Sequence, residues 1–308
     1  MAVKSAFYYR RGAGGKVAIE DQSVSTGNRY WVHSGTGTDG TAFGFTPDKP
    51  FKTIDYAIGK CTASKGDIIF VMPGHAENLA TATAINCDVA GVTIQGIGSG
   101  SLIPTVSFTA LAGSITIGAA NVTLRNLRLV ANATDGVTTG LTVAAAGDGL
   151  TLDGVQFRDT ATTKEFLIHV SVATTVTDML VKNCSFVGLT GGSMTNSILF
   201  AGTSTDCVIE DSYFFVDSSD SVIDHLAGAS VNLVVRRNVV INADTGAAGY
   251  CVQNKSDGTG VVHDNRFAYN KVDAEISGGA ATWWFNNYAS NTIAESGLLD
   301  PATTHAIP

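Results

Sequence analysis

Cysteine is scarce in this sequence and badly placed for cross-linking: Cys61, Cys87, Cys184, Cys207 and Cys251 are odd in number, scattered, and form no C-x-x-C pair. No disulfide framework or thiolate metal site is therefore expected. No apolar run reaches the roughly 20 residues of a membrane-spanning helix, and the start of the chain lacks the apolar core of a signal peptide. The expectation is a chain made and folded in a cytosol, with no membrane partner. Charge is also scarce, at 15% of residues, and the net −8 divides into +3 over residues 1–29 and −11 over the rest. So acidic a body is a poor partner for nucleic acid. A glycine-rich phosphate loop, zinc-ligand spacing and a Ser-His-Asp constellation are missing too. No cofactor or metal is expected.

What the chain does have is a repeat. Near-copies of residues 150–157 begin at positions 92, 122, 150, 179, 207, 233, 260 and 282. Their third members (Ile94, Leu124, Leu152, Val181, Ile209, Val235, Val262 and Trp284) recur every 22–30 residues. Such a period marks a solenoid, in which one supersecondary unit buries its apolar side only against its neighbours. Within a unit, apolar residues hold positions one and three, a small or amide residue holds five, and an apolar residue, often Phe, returns at eight. That pattern reads as two short strands joined at a bend. A further alternating run lies between copies, as at Ile115 and Ile117 or at Leu141 and Val143. No unit has room for a periodic helix. The fold class expected is all-β, a right-handed parallel β-helix spanning residues 30–289, with a basic arm over 1–29 and an extended tail over 290–308. Near residues 53–61, Ile54, Ala57, Ile58 and Cys61 share a helical face, so a short helix is expected to cap the first coil.

The opening of the body carries a resemblance. Tyr30, Trp31 and Val32 precede a Gly/Thr/Asp loop, then residues 50–58 (Pro-Phe-Lys-Thr-Ile-Asp-Tyr-Ala-Ile), then residues 66–71 (Gly-Asp-Ile-Ile-Phe-Val) and the turn from Pro73 to Asn78. This order resembles the pectate-lyase-like right-handed β-helix proteins, and among them looks most like small β-helix proteins of bacteriophage virions. The resemblance implies the fold; it is weak for function, because the same fold hosts lyases, hydrolases, tailspikes and non-enzymatic virion parts.

Chemistry on such a rod needs carboxylates on an outer face. Positions one and three point inward, so two and four point outward. Position four reads Gln95, Arg125, Asp153, Lys182, Glu210, Arg236 and His263 down the rod. Asp153 and Glu210 are the weak catalytic candidates, but each is expected between two cations, which keeps a carboxylate ionised and unfit as a general acid. His75 and Glu77 form a second candidate pair, though their turn belongs to the pattern of the resemblance. Position two runs from Thr93, Thr123 and Thr151 to Leu180, Val208, Val234 and Val261, and position nine adds Val187, Phe215 and Ile241 around the bend. A contiguous exposed apolar stripe marks an interface. On the last coil, Trp283, Trp284, Phe285 and Tyr288 are read first as a cap on the core.

Three functions remain open. The first is a non-enzymatic virion protein, a capsid decoration or cement-type component whose arm (Arg10, Arg11, Lys16) and apolar stripe bind the major capsid protein of the head lattice. The second is a tailspike or receptor-binding protein that grips or cleaves host surface polysaccharide. The third is a free polysaccharide lyase. A homo-oligomer is expected, a trimer being the arrangement the resemblance implies, with the virion as its location.

Overall fold

A computed structural model describes residues 26–244, 250–269, 276–291 and 296–299. Arg10, Arg11 and Lys16 lie outside the described residues. The fold is a right-handed parallel β-helix. Its first sheet has ten parallel strands stacked along the rod, from Arg29–Val32 and Ile68–Val71 through the eight repeat strands to Thr282–Phe285. The repeat sets the register: Leu152 lies between Leu124 and Val181, and Ile209 between Val181 and Val235. The strands at 29–32 and 68–71, which precede the first copy of the repeat, are two further rungs of this sheet.

From the unit at 122 to the unit at 260, positions seven to ten build most of a second ten-stranded sheet, which Thr105–Phe108 joins from the unit at 92. It runs from Ala76–Leu79 to Asn287–Asn291, and Ser296–Leu299 closes it antiparallel. The runs between copies build a third sheet of eight strands, from Ile85–Cys87 to Ile276–Ser277. Three two-residue strands at Val176–Thr177, Ser204–Thr205 and Ser230–Val231 add a short fourth face in the middle coils.

Sharp bends separate the sheets, and the residues there show how they are made. Asn126, Gly154, Asn183, Asp211, Arg237, Asp264 and Asn286, all at position five, have φ between 49° and 68°. Short polar side chains and glycine tolerate this left-handed region best. A second bend precedes position one, with positive φ at Gly91, Asn121, Gly149, Asp178, Asp206 and Asn232. Each strand of the first sheet is thus cut to a few residues at both ends.

The core forms a continuous column. Phe157, Phe186 and Phe214 at position eight stack with ring centroids 4.9 and 4.5 Å apart. Burial of such a side chain contributes about 2–3 kcal/mol. Lower in the rod the interior changes character: position six runs Leu127, Val155, Cys184, Ser212, Asn238, Asn265 and Asn287, all buried. The lower members bond in series, Asn265 Oδ1 accepting from Asn238 N at 2.9 Å and Asn265 Nδ2 donating to Asn287 Oδ1 at 3.0 Å.

The expected cap is present and shorter than read. Helix α1 (Ile54–Ile58) buries Ile54, Ala57 and Ile58, with Thr53 as N-cap. Its first turn is held by Glu77, whose Oε2 accepts from Ile54 N at 3.0 Å. His75 Nδ1 accepts from Ser34 N at 3.0 Å, so its Nε2 donates to Glu77 at 3.1 Å. The His75–Glu77 pair therefore fastens the cap to the first coil.

Candidate functional site: the outer face of the lower rod

Strand alternation places positions two and four of the first sheet outward. The position-four ladder pairs internally. Asp153 Oδ2 lies 3.1 Å from Arg125 Nε and 3.8 Å from Lys182 Nζ. Glu210 Oε2 lies 2.7 Å from Arg236 and 2.8 Å from Arg237. For Asp153 the two cations are those expected. For Glu210 the second cation is not Lys182 but Arg237 from the bend, which also grips Asp211 at 2.7 Å. This contact holds the Asp211 carboxyl below the usual carboxylate range. Neither Asp153 nor Glu210 is set as an acid facing a substrate, and Lys182 occupies the rung between them.

Three carboxyls depart upward among the described residues: Asp159 at the end of the second-sheet strand 156–159, Glu165 in the loop that follows it, and Asp224 within the third sheet, 5% exposed and raised by burial. Burial pushes Asp159 up to about 7, and neighbouring Glu165 adds to the shift against a hydrogen bond from Phe166 N. Asp159 Oδ2 is buried without a hydrogen-bond partner. Glu165, also raised by burial, is 3% exposed and accepts from Ser193 N at 2.6 Å. A general acid needs a raised pKa and also a path to substrate. These two groups have the first without the second, because the next coil's loop covers them: a Cβ at Gly188 would stand 3.1 Å from Asp159 Oδ2, and one at Gly192 would overlap Glu165. Sequence reasoning missed both, since burial by the following coil leaves no local signal.

The interior histidines are sealed as well. His169 is fully buried among Phe157, Phe166 and Phe186, and burial drives its pKa down to about 3, with the Arg158 charge adding to the shift. His225 Nε2 accepts from Ser204 Oγ at 2.6 Å while its Nδ1 donates to Gly228 O at 2.8 Å. Both members of this Ser–His pair are buried to 0% exposure, so no substrate meets the hydroxyl.

What remains open is apolar. Leu180, Val208, Val234 and Val261 follow one another in register and lead to Trp283, which is 54% exposed. The four aliphatics are half-buried, and Trp283 at the end of the row is the exposed member. An open depression of about 250 Å³ lies between Val234, Val261 and Trp283, edged by Asn232 and Thr259. Phe215 and Ile241, with Val187, stand outward on the second sheet and so form a separate face. The position-four charges and the left-handed bend divide the two. On the last coil only Trp284 packs against the core; Trp283, Phe285 and Tyr288 are half-exposed outside it. Alternation explains the difference from the expected cap, because positions two and four point away from the interior.

No family model matches the chain, and no curated protein matches it. Solved structures do. A rhamnogalacturonan lyase aligns with TM-score 0.52 and 11% identity over 80% of this chain and 69% of its own. A GH136 lacto-N-biosidase from Eubacterium ramulus aligns with TM-score 0.57 and 13% identity over 85% of this chain and 56% of its own. At such identities the likeness establishes the parallel β-helix and nothing finer.

Proposed function

We propose that this chain is a non-enzymatic binding rod, a structural component of a bacteriophage particle that attaches through the outer face of its lower coils. The observation that carries the reading is the division of the surface: outward acids at Asp153, Glu210 and Asp211 are held by cations, whereas the register Leu180, Val208, Val234, Val261, Trp283 lies open. Paired carboxylates are poor acids and bases, and exposed apolar stripes mark interfaces. The phage assignment, the capsid as partner and the virion as location rest on the resemblance of residues 30–289, carried by the motifs of its opening, with the basic arm as a second attachment element. Density-gradient fractionation of its source is the test. The chain is expected to band with assembled particles, and to release neither reducing ends nor unsaturated uronates from surface polysaccharide. A chain confined to the soluble fraction, or product release lost in Glu210→Gln, contradicts the reading.

One observation favours a second reading, glycan binding. The depression beside Trp283 offers an aromatic face next to an amide and a hydroxyl, which suits a sugar ring with one apolar side. The two fold neighbours, a rhamnogalacturonan lyase and a lacto-N-biosidase, are by name carbohydrate-active enzymes. On this reading Trp283→Ala abolishes retention on a glycan column; equal retention of both proteins removes it.

A further inference from the structure

The two long edges of the lower first sheet differ in charge. At positions four and five, Lys182, Arg236 and Arg237 balance Glu210, Asp211 and Asp264. At the bend before position one, Asp178 and Asp206 stand exposed on successive coils, and Asp148 adjoins the same bend one coil up. Asp206 Oδ1 accepts from Asn232 Nδ2 at 3.0 Å, and Asp148 Oδ1 from Thr177 N at 2.7 Å. None of the three is in ion-pair contact with a cation among the described residues. Lys255, the cation lower on this side, lies 3.7 Å from Asp257. Between the two edges run Leu180, Val208, Val234 and Val261, with the depression beside Trp283 at their lower end. An apolar row with one acidic edge complements a partner that is apolar and basic at once.

The chain carries such a segment itself, Phe7-Tyr8-Tyr9-Arg10-Arg11. The start of the described chain shows on which edge that segment is tethered. Arg29 pairs with Ile68 and Ile68 with Thr93, so Arg29 holds position two of the top rung and Gly27 falls at the bend before position one. Residues 1–25 therefore join the rod on the edge that carries Asp178 and Asp206, five and six rungs further down. At about 4.8 Å per rung these lie roughly 24 and 29 Å away. The fifteen residues from Arg11 to Thr26 span up to about 50 Å when extended. Order agrees as well as reach. From Arg11 to Phe7 an extended chain covers about 13 Å, and the three rungs from the coil of Asp178 to that of Val261 cover about 14 Å. With the arginines at Asp178 and Asp206, the aromatic trio comes to the depression. Area favours a tethered occupant too. The stripe offers roughly 300 Å², well short of the roughly 800 Å² per partner that separate molecules bury in a stable interface. A segment of the same chain starts from an effective concentration of roughly millimolar, so an intrinsic affinity of about tens of micromolar holds it in place.

We propose that residues 7–11 of the chain's own arm lie along the lower first sheet, with Arg10 and Arg11 against Asp178 and Asp206 and Phe7, Tyr8 and Tyr9 over Val234, Val261 and Trp283, so that the free chain masks its own docking face. This rests on reading the lower exterior as a docking surface and adds its regulation: a partner must displace the arm, which is then free to serve as the second attachment element. Hydroxyl-radical footprinting of the free full chain reads the mask at Trp283. In wild type, Trp283 is expected to react several-fold more slowly than in the chain with Arg10→Glu and Arg11→Glu, or in the chain with Asp178→Asn and Asp206→Asn. Asparagine suits both left-handed bends. Exchanging the charges, by Arg10→Glu and Arg11→Glu together with Asp178→Lys and Asp206→Lys, is expected to restore the slow rate; Arg237, at φ 54°, shows that a long cation holds such a bend. Tyr213 and Phe215 on the second sheet keep their reactivity throughout. Equal reactivity of Trp283 in wild type and in the Arg10→Glu, Arg11→Glu chain overturns the proposal. So does a charge exchange that leaves Trp283 fast with an unchanged circular dichroism spectrum. Protection that grows with protein concentration also overturns it, because the arm would then come from a second copy. A chain that masks Trp283 as expected but never bands with particles keeps this contact and removes the virion reading instead; banding without the mask does the reverse.

Discussion

Asn126 shows how much one side chain does at a bend. Its φ is 51°, and its Nδ2 donates to Gly96 O at 2.9 Å and to Gly98 O at 3.0 Å, tying its own coil to the one above. Asp159 shows the reverse, a side chain whose burial costs stability. Because its folded pKa of about 7 exceeds the ordinary carboxylate value, the folded state keeps the proton while the unfolded chain has released it. Stability linked to this group is therefore full below about pH 4 and falls as pH rises to about 7. His169, held near 3, acts oppositely, removing stability as pH falls below the ordinary imidazole range. The difference between Asp159→Asn and wild type isolates the first effect: the variant should gain on wild type in urea midpoint from pH 4 to pH 7, then hold a constant lead. A parallel pair of profiles would mean that Asp159 ionises normally.

At the scale of the strand and its bends, the upper ladders are held by packing and the lower ones by amides. Asn265 accepts from Asn238 N and Nδ2 and donates to Val235 O, all inside the rod. Replacing it by leucine would fit the column of Leu127 and Val155 by hydropathy, yet it would leave those buried groups without partners, at about 1–3 kcal/mol each. Asn265→Leu is accordingly expected to lose about 3 kcal/mol or more in urea unfolding. A loss under about 1 kcal/mol would show that apolar contact replaces the ladder.

This ladder also shows what was legible beforehand. Position five could be read, because Asn, Asp and Gly announce a left-handed bend. The bend before position one uses the same residue types, Gly91, Asn121 and Asp178 among them, but falls outside a repeat counted from its first apolar member. Arg237 carries a positive φ with no local sign of it; its support is the contact with Asp211, 26 residues earlier. Asn238, Asn265 and Asn287 are of a residue type that favours turns, yet they form the core of the lower coils, a role set by stacking that only the register reveals.

Across the whole molecule, the expected ladder of like on like extends over ten rungs, and it accounts for the surface as well as the core. Stacking in register turns one repeat position into a stripe, so a change of residue type partway down changes the chemistry of a whole face. Thr93, Thr123 and Thr151 make the upper first sheet polar; Leu180 to Trp283 make the lower one apolar. The acids that sequence singled out, Asp153 and Glu210, are members of an ion ladder. Of the acids with raised pKa, Asp159 and Glu165 are covered by the following loop and Asp224 is buried in the third sheet. On the proposed reading, the working part of the exterior is where aliphatic and aromatic side chains line up. Hydroxyl-radical footprinting of the free protein, its arm released by Arg10→Glu and Arg11→Glu, against the protein bound to assembled particles tests this most directly. Phe215, Tyr213 and Trp283 should lose reactivity on binding, while Tyr56 and Leu102, on the upper coils, keep theirs. Equal reactivity at Phe215 and Trp283 in the two states, or protection confined to the upper coils, would contradict it.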